Sequence, residues 1–387
     1  MRRLLVLVAT LVCVDTMLYV ALTPLLPHFS HELGLSKSRA GVLVAAYAAG
    51  ALVGGIPGGF AAARLGSRRA VLTGLTLMGI ASLGFAFANE FWSLSLARLV
   101  QGLGSAFTWA GSFAWLLARA PRQRRGELLG SAMGAAVFGA VFGPVIGAAA
   151  ALLGRAPVFA SLAGLAVVLG AWALRIESAP AEQPSAAALV RALRSRIFVA
   201  GLGLMTLPAL LFGVMSVLAP LHLAEAGWGA AAIGAVWLVD AGFEAAEAPL
   251  IGRLTDRRGR LLPVRVSLAA SCVLSLGLAA GGRPLVYVPL LVLGSLAYSV
   301  LFTPAFALLA DGAESAGLAQ GMGFGLMNAA WATGAVVGPA AGGAIASTTG
   351  DTIPWVLSAV LCAAALAATR TSPRRAAAAD RLTREVV

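Results

Sequence analysis

Charge is what this chain has least of. Asp, Glu, Lys and Arg make up 11% of its 387 residues, where a water-soluble domain carries roughly 25%. That shortage excludes an ordinary soluble enzyme. Cysteine is nearly absent too: Cys13, Cys272 and Cys362 each sit inside an apolar run, so neither a disulfide frame nor a thiolate metal site is expected. The three histidines, His28, His31 and His222, lack metal-ligand spacing and read as surface residues at helix ends. There is no Walker lysine loop, which argues against ATP as the energy source. No nucleophile, base and orienter set is present, and no soluble segment is long enough for a catalytic core, so the chain does not read as an enzyme.

What the chain does have is apolar length. Hydrophobic residues make up 59% and the mean hydropathy is +0.89. Runs of about 20 apolar residues are the mark of membrane-spanning helices. Twelve are predicted, roughly at 3–25, 39–62, 70–88, 92–118, 127–150, 156–174, 197–221, 229–251, 262–281, 286–310, 318–346 and 353–369. The first run, behind Met1-Arg2-Arg3, resembles a signal peptide. Asp15 in its middle and the missing small-residue cleavage site favour an uncleaved span.

The net charge of +12 reports topology. With a cytoplasmic N-terminus, 23 of the 28 basic residues fall in segments on the inner side, while Lys37, Arg39, Arg155 and Arg283 fall outside and Arg98 lies within a span. This is the positive-inside pattern for an even number of spans with both termini in the cytoplasm. The basic surface suits an anionic inner leaflet, and nucleic acid is not needed to explain it. A multi-pass protein of the cell membrane is expected.

A repeat organises the chain. Gly130, Gly139, Gly143-Pro144 and Gly147 recur as Gly325, Gly334, Gly338-Pro339 and Gly342, 195 residues further on (143 to 338). Glycines four apart form a side-chain-free stripe that lets helices approach closely in lipid, and proline bends the helix beside it. Two copies half a chain apart predict a duplicated helical bundle: an N-terminal half at 1–176, a cytoplasmic linker at 177–196, a C-terminal half at 197–370 and a loose tail at 371–387.

A second repeat carries a family resemblance. Gly59, Arg64 and Gly66 in the N-terminal half match Gly252, Arg257 and Gly259 in the C-terminal half, 193 residues further on (59 to 252), with Asp256 and Arg260 opposite Ala63 and Ser67, between the second and third spans of each. With twelve spans this resembles the major facilitator superfamily, whose signature loop is Gly-x-x-x-Asp-Arg-x-Gly-Arg. Arg98-Leu-Val-Gln101-Gly102 is similar to the family's fourth-span signature. The glycine-proline stripe and the first span, Asp15 to Pro27, resemble its drug/proton antiporter branch. The resemblance implies an all-α membrane fold of twelve helices in two pseudo-symmetric six-helix bundles that rock about a central cavity. Position 63 departs from the pattern, with alanine where the family usually carries aspartate. The latch it implies between the halves therefore falls to Asp256. The stripe in the fifth span also ends in Ala148 where the eleventh has Gly343.

Charges inside a bilayer are costly and need a reason. Asp15 lies near the middle of the first span and Arg98 in the fourth. By family analogy both line the N-terminal side of the cavity, where Asp15 could take a proton or a cationic substrate in turn. The bland alternative is a structural Asp15–Arg98 pair, or an Arg98 that only ties two helices together. In the eighth span Asp240, Glu244 and Glu247 are spaced i, i+4 and i+7 and share one face, with Asp240 near mid-depth. Three such carboxylates cannot all be ionised cheaply. They form a proton-accepting row or an acidic wall, although Glu247 could equally be solvated or paired with a loop arginine. Tyr47, Gln101, Trp109, Ser112, Asn328 and Trp331 are candidates to shape the pocket. Asp311 reads as a cap or loop contact.

The leading expectation is a secondary active transporter that exports a small organic, cationic or lipophilic compound by proton antiport. It needs no cofactor beyond the proton gradient and no metal, and works as a monomer in the bilayer. The alternatives are a proton-coupled symporter or facilitator for a sugar or metabolite and, more distantly, a non-transporting membrane receptor or scaffold.

Overall fold

The computed structural model describes the backbone of residues 1–121, 124–178, 185–318 and 320–384, and the side chains there except at 125–127, 248–249, 256, 258, 320–321 and 370–384. Every regular element among them is helical. The first half comprises α1 (Arg2–Val20), a 3-10 turn (Thr23–Leu25), α2 (Leu26–Glu32), α3 (Lys37–Arg64), α4 (Ser67–Phe87), α5 (Phe91–Arg119), α6 (Arg125–Leu153) and α7 (Arg155–Leu174). A short helix, α8 (Ala186–Arg194), precedes α9 (Arg196–Glu225), α10 (Ala230–Arg258), α11 (Leu261–Ala279), α12 (Pro284–Ser299), α13 (Phe302–Ser315), α14 (Gln320–Thr349) and α15 (Thr352–Arg384).

Among the described residues, ten segments are long and apolar enough to cross a membrane. They include Arg2–Glu32, which joins α1 to α2, and Pro284–Ser315, which joins α12 to α13. The two long helices outside that set are α5 and α10, each of 29 residues and thus roughly 43 Å long. They have the length but carry the polar residues of the molecule's centre; with them the count is consistent with the expected twelve. Large apolar side chains face outward around the bundle, with Leu285 at 87% and Ile56 at 75% exposure. Such a surface suits lipid and would be a liability in water.

Packing repeats across the two halves. α6 lies along α1 as α14 lies along α9, and α4 meets α7 as α11 meets α15. The halves meet through two related pairs, α3 with α14 and α6 with α10. The glycine stripes explain the first set. A Cβ on Gly139 or Gly147 would run into the backbone carbonyl of Cys13 on α1 or of Ala21 just after it, and one on Gly143 would lie 2.8 Å from the Val20 Cβ. On α14, Gly334 and Gly338 meet the Thr206 and Leu210 carbonyls of α9 in the same way, and Gly342 faces Val214. Gly130 has no neighbour within 4 Å of such a Cβ, so the stripe's first glycine makes no close approach.

The repeated loops also coincide. Gly66 and Gly259 both take positive φ, 91° and 76°, the backbone state glycine adopts without steric cost. Gly59 and Gly252 have open space around them, so no close packing accounts for glycine there. Arg64 lies over the Phe60 ring at 4.2 Å, and Arg257 is exposed. The expected latch through Asp256 falls on a side chain outside the described residues. Arg260 donates to Asp311 on α13 at 2.6 Å, so Asp311 is the loop contact expected of it.

Three local expectations need correction. The polar linker contains α8, an amphipathic helix whose Ser185 side chain caps the Ala188 amide. The tenth span is broken at Val300–Leu301 between α12 and α13. The alanine-rich tail continues α15 through Arg384, consistent with alanine's helix propensity.

Candidate functional site

A cavity of about 500 Å³ lies between the halves, walled by α1, α3, α5 and α6 on one side and by α9, α10, α12, α13 and α14 on the other. Its wall is largely aromatic and aliphatic. Tyr19 stands against Tyr47 and Trp331 at centroid distances of 5.2 and 5.1 Å, which joins side chains of both halves.

Asp15 is 3% exposed on α1 and reaches the cavity wall. Its carboxylate accepts from the Tyr47 hydroxyl at 3.0 Å, the Ser105 hydroxyl at 2.9 Å and the Trp109 Nε1 at 2.6 Å. These donors come from α3 and from successive turns of α5, so folding the N-terminal half assembles the site. Arg98 does not pair with Asp15. It donates to the carbonyls of Leu18 at 2.8 Å and Tyr19 at 3.0 Å, in the last turn of α1, where a helix leaves acceptors without intrahelical partners. A cation there also complements the helix dipole. Arg98 therefore ends α1 beside the Pro24 turn and ties α5 to it, which is the structural alternative raised above.

Gln101 requires a correction. It is fully buried away from the cavity, accepting from Arg98 at 3.1 Å and donating to Ser82 on α4 at 3.2 Å. Its place on the face of α5 turned towards α4 makes it a support for Arg98 and takes it off the substrate wall. Ser112 is likewise buried away from the cavity. Tyr47, Trp109, Asn328 and Trp331 do line it.

Across the cavity, Asp240, Glu244 and Glu247 all reach the wall from one face of α10. The structure adds two residues that sequence reasoning missed, Ser295 and Ser299, one turn apart on α12. Ser295 Oγ lies 2.7 Å from Asp240 Oδ2 and in hydrogen-bond contact with Glu244 Oε1. Ser299 donates to Glu247 Oε2 at 3.1 Å, and no loop arginine pairs with Glu247 among the described residues. Asp240 Oδ1 is buried without a partner. Serine in an apolar helix gives no signal of its own. Only the i, i+4 pair beside an acidic helix would have pointed to these two.

Thr16, Thr23, Ser216 and Thr303 also line the cavity, while the histidines and cysteines lie outside it. His28 pairs with Glu32 at 3.3 Å and His222 approaches the Gly282 carbonyl at 3.3 Å. The cysteines are free. No group of three or more metal-ligating side chains occurs among the described residues.

Comparisons with known proteins agree with this architecture. A family model described as Major Facilitator Superfamily matches residues 7–324. An uncharacterized MFS-type transporter, YcaD of Escherichia coli, is 27% identical over 258 residues, covering 65% of this chain and 66% of that protein. The MFS-type transporter ppzB of Metarhizium rileyi is 30% identical over 122 residues, which is 30% of this chain and 25% of that one. Among solved structures, a D-xylose-proton symporter superposes with a TM-score of 0.73 at 15% identity, covering 94% of this chain and 96% of its own. A partially occluded, inward-open form of the xylose transporter XylE from E. coli gives 0.71 at 16% identity, with the same coverage. At those identities the likeness concerns the fold. The chain is a multi-pass membrane protein of the major facilitator superfamily, a family of transporters of small molecules.

Proposed function

We propose that this transporter exports small lipophilic cations by proton antiport. The observation that carries the reading is the distribution of charge around the cavity. Carboxylates stand on both walls, Asp15 on one and Asp240, Glu244 and Glu247 on the other. The cavity's cation, Arg98, is spent on the end of α1. Aromatic and methionine side chains fill the wall between them, and a volume of about 500 Å³ falls within the range of small-molecule sites. Aromatic faces and carboxylates together suit a flat or bulky organic cation. In this reading the arginine-rich end faces the cytoplasm and both termini lie there. The halves rock to alternate access, the proton gradient is the energy source, and one chain suffices.

The second reading is proton-coupled sugar transport, prompted by the fold of the xylose symporter. A sugar needs many free polar edges. The wall has one carboxamide, Asn328, and the hydroxyls of Thr16, Thr23, Ser105, Ser216, Ser299 and Thr303, of which Thr16 and Ser216 bond carbonyls of their own helix and Ser105 and Ser299 are engaged by Asp15 and Glu247. The cation reading is therefore preferred.

Proteoliposomes with an acidic interior discriminate the two. Tetraphenylphosphonium added outside is expected to draw protons out, and the Asp15→Asn/Asp240→Asn variant is expected not to respond. Cation flux without proton movement would overturn coupling. Proton movement together with a pentose, and none with the cation, would favour the sugar reading.

A further inference from the structure

The proton-coupled reading leaves open where the proton rides, and the hydrogen-bond count around the cavity separates its carboxylates. Three donor groups converge on Asp15, the Tyr47 and Ser105 hydroxyls and the Trp109 N–H, and the Trp109 N–H can only donate. That is the pattern of a carboxylate with its acceptors in use. The opposite wall is one donor short. Ser295 carries a single hydroxyl proton, yet its oxygen contacts both Asp240 and Glu244. With both acids ionised, the hydroxyl serves one of them and turns a lone pair to the other. One added proton completes the chain: a protonated carboxyl donates to Ser295 Oγ, and Ser295 donates to the second carboxylate. The arrangement with the proton on Asp240 and the one with it on Glu244 differ only in the direction of these two bonds.

We infer that the Asp240–Ser295–Glu244 bridge is the site that holds the transported proton, and that Asp15 is a fixed anchor for the substrate's positive charge. The inference rests on the proton-coupled reading above. Proton and substrate then occupy opposite halves, and the exchange is coupled across the cavity. The bridge is buried, with Ser295 at 0% and Asp240 at 5% exposure, and among the described residues no cation is bonded to it. The charged groups sharing its cavity are Glu247 beside it and, on the opposite wall, Asp15 and Arg98. On neighbouring helices, Arg265 of α11 bonds Thr369 and Asp311 of α13 bonds Arg260, and neither Glu314 of α13 nor Arg196 and Glu225 of α9 lines the cavity. The Tyr298 hydroxyl of α12 is shared with Ser275. Glu247 and Ser299 repeat the acid–hydroxyl contact one turn nearer the arginine-rich end, giving the proton a next acceptor on its way out: it leaves the bridge carboxyl, binds a Glu247 oxygen and passes to water.

Infrared difference spectra of the full-length protein in lipid, taken between alkaline and neutral buffer without substrate, test the site directly. A protonated-carboxyl band is expected in the wild type and in Asp15→Asn, and is expected to be lost in Asp240→Asn/Glu244→Gln. Ser295→Ala should move that band to the position of an unbonded carboxyl, and Ser295→Thr should restore it. A band that disappears in Asp15→Asn, one that survives in the double variant, or no band at all would overturn the inference. Binding of tetraphenylphosphonium to the same samples is read separately. It should weaken at least tenfold in Asp15→Asn and change less than threefold in the double variant. If the wild type does not bind the cation while the band behaves as stated, the substrate reading fails and the proton site stands.

Discussion

Arg98 shows how one residue can be legible in position while its role stays open between two readings. A guanidinium inside an apolar run announces itself because its burial is costly, and the same cost makes a carboxylate partner the natural expectation. The fold uses it differently, as a fork over two carbonyls at the end of α1 with Gln101 behind it. Nothing in the local sequence encodes that α1 stops at Val20 within reach of α5. Arg98→Lys therefore tests a shape rather than a charge, since an ammonium lacks the planar fork. Hydrogen bonds within membranes are worth about 0.6–1.7 kcal/mol each, so losing one or two predicts a loss of about 1–2 kcal/mol and an unfolding temperature lower by several degrees. Thermal unfolding in detergent measures it, and an unchanged midpoint would leave Arg98 as a mere charge. The acids were legible for the reason Arg98 was. Ser105 and Ser295, which set what Asp15 and Asp240 can do, were not, because a serine hydroxyl can fold back on its own helix at little cost.

At the scale of elements, the glycine periodicity was the most informative signal, because a four-residue stripe fixes both the helix and the face it packs. The structure sharpens this into a positional difference. Gly139→Val and its counterpart Gly334→Val would drive a side chain into the Cys13 and Thr206 carbonyls. Overpacking of that kind costs about 1–3 kcal/mol, occasionally more, and each variant should give little folded protein. Gly130→Ala, with no atom within 4 Å, should match the wild type. Monodisperse yield on size-exclusion chromatography separates the two groups, and equal losses at Gly130 and Gly139 would contradict the packing described here. The elements that escaped the sequence are those whose cause is tertiary. α8 is a short amphipathic helix that gains its partners from α9 and α13, including the Arg191 bond to the Ala316 carbonyl at 3.2 Å. The break between α12 and α13 falls inside one uninterrupted apolar run that reads as a single span.

For the whole molecule, the duplication predicted two halves, but which end is closed depends on contacts between them that no repeat encodes. At the end away from the arginine-rich loops, Lys37 at the start of α3 bonds Asp351 at 2.7 Å and Glu225 at 3.3 Å, so one half is pinned to two helix ends of the other. Beneath it, a Cβ on Gly41 or Gly343 would collide with the facing backbone, so α3 and α14 close tightly there. In sequence Lys37 was only one more basic residue outside a span. In the structure it has to let go before that end can open. A partly exposed ionic contact of this kind is worth up to about 1 kcal/mol, or roughly fivefold in the balance between closed and open forms. Asp351→Asn combined with Glu225→Gln should therefore raise the open fraction several-fold. Lys37 is the chain's single lysine, so modification by a membrane-impermeant amine reagent, mapped to that residue by mass spectrometry, reports the opening without an engineered label. Reaction should be slow in the resting protein, several-fold faster in the double variant, and faster in the wild type during cation-driven turnover. If Lys37 reacts at one rate in all three conditions, the contact is not a gate, and the seal at that end is carried by the glycine packing of α3 against α14.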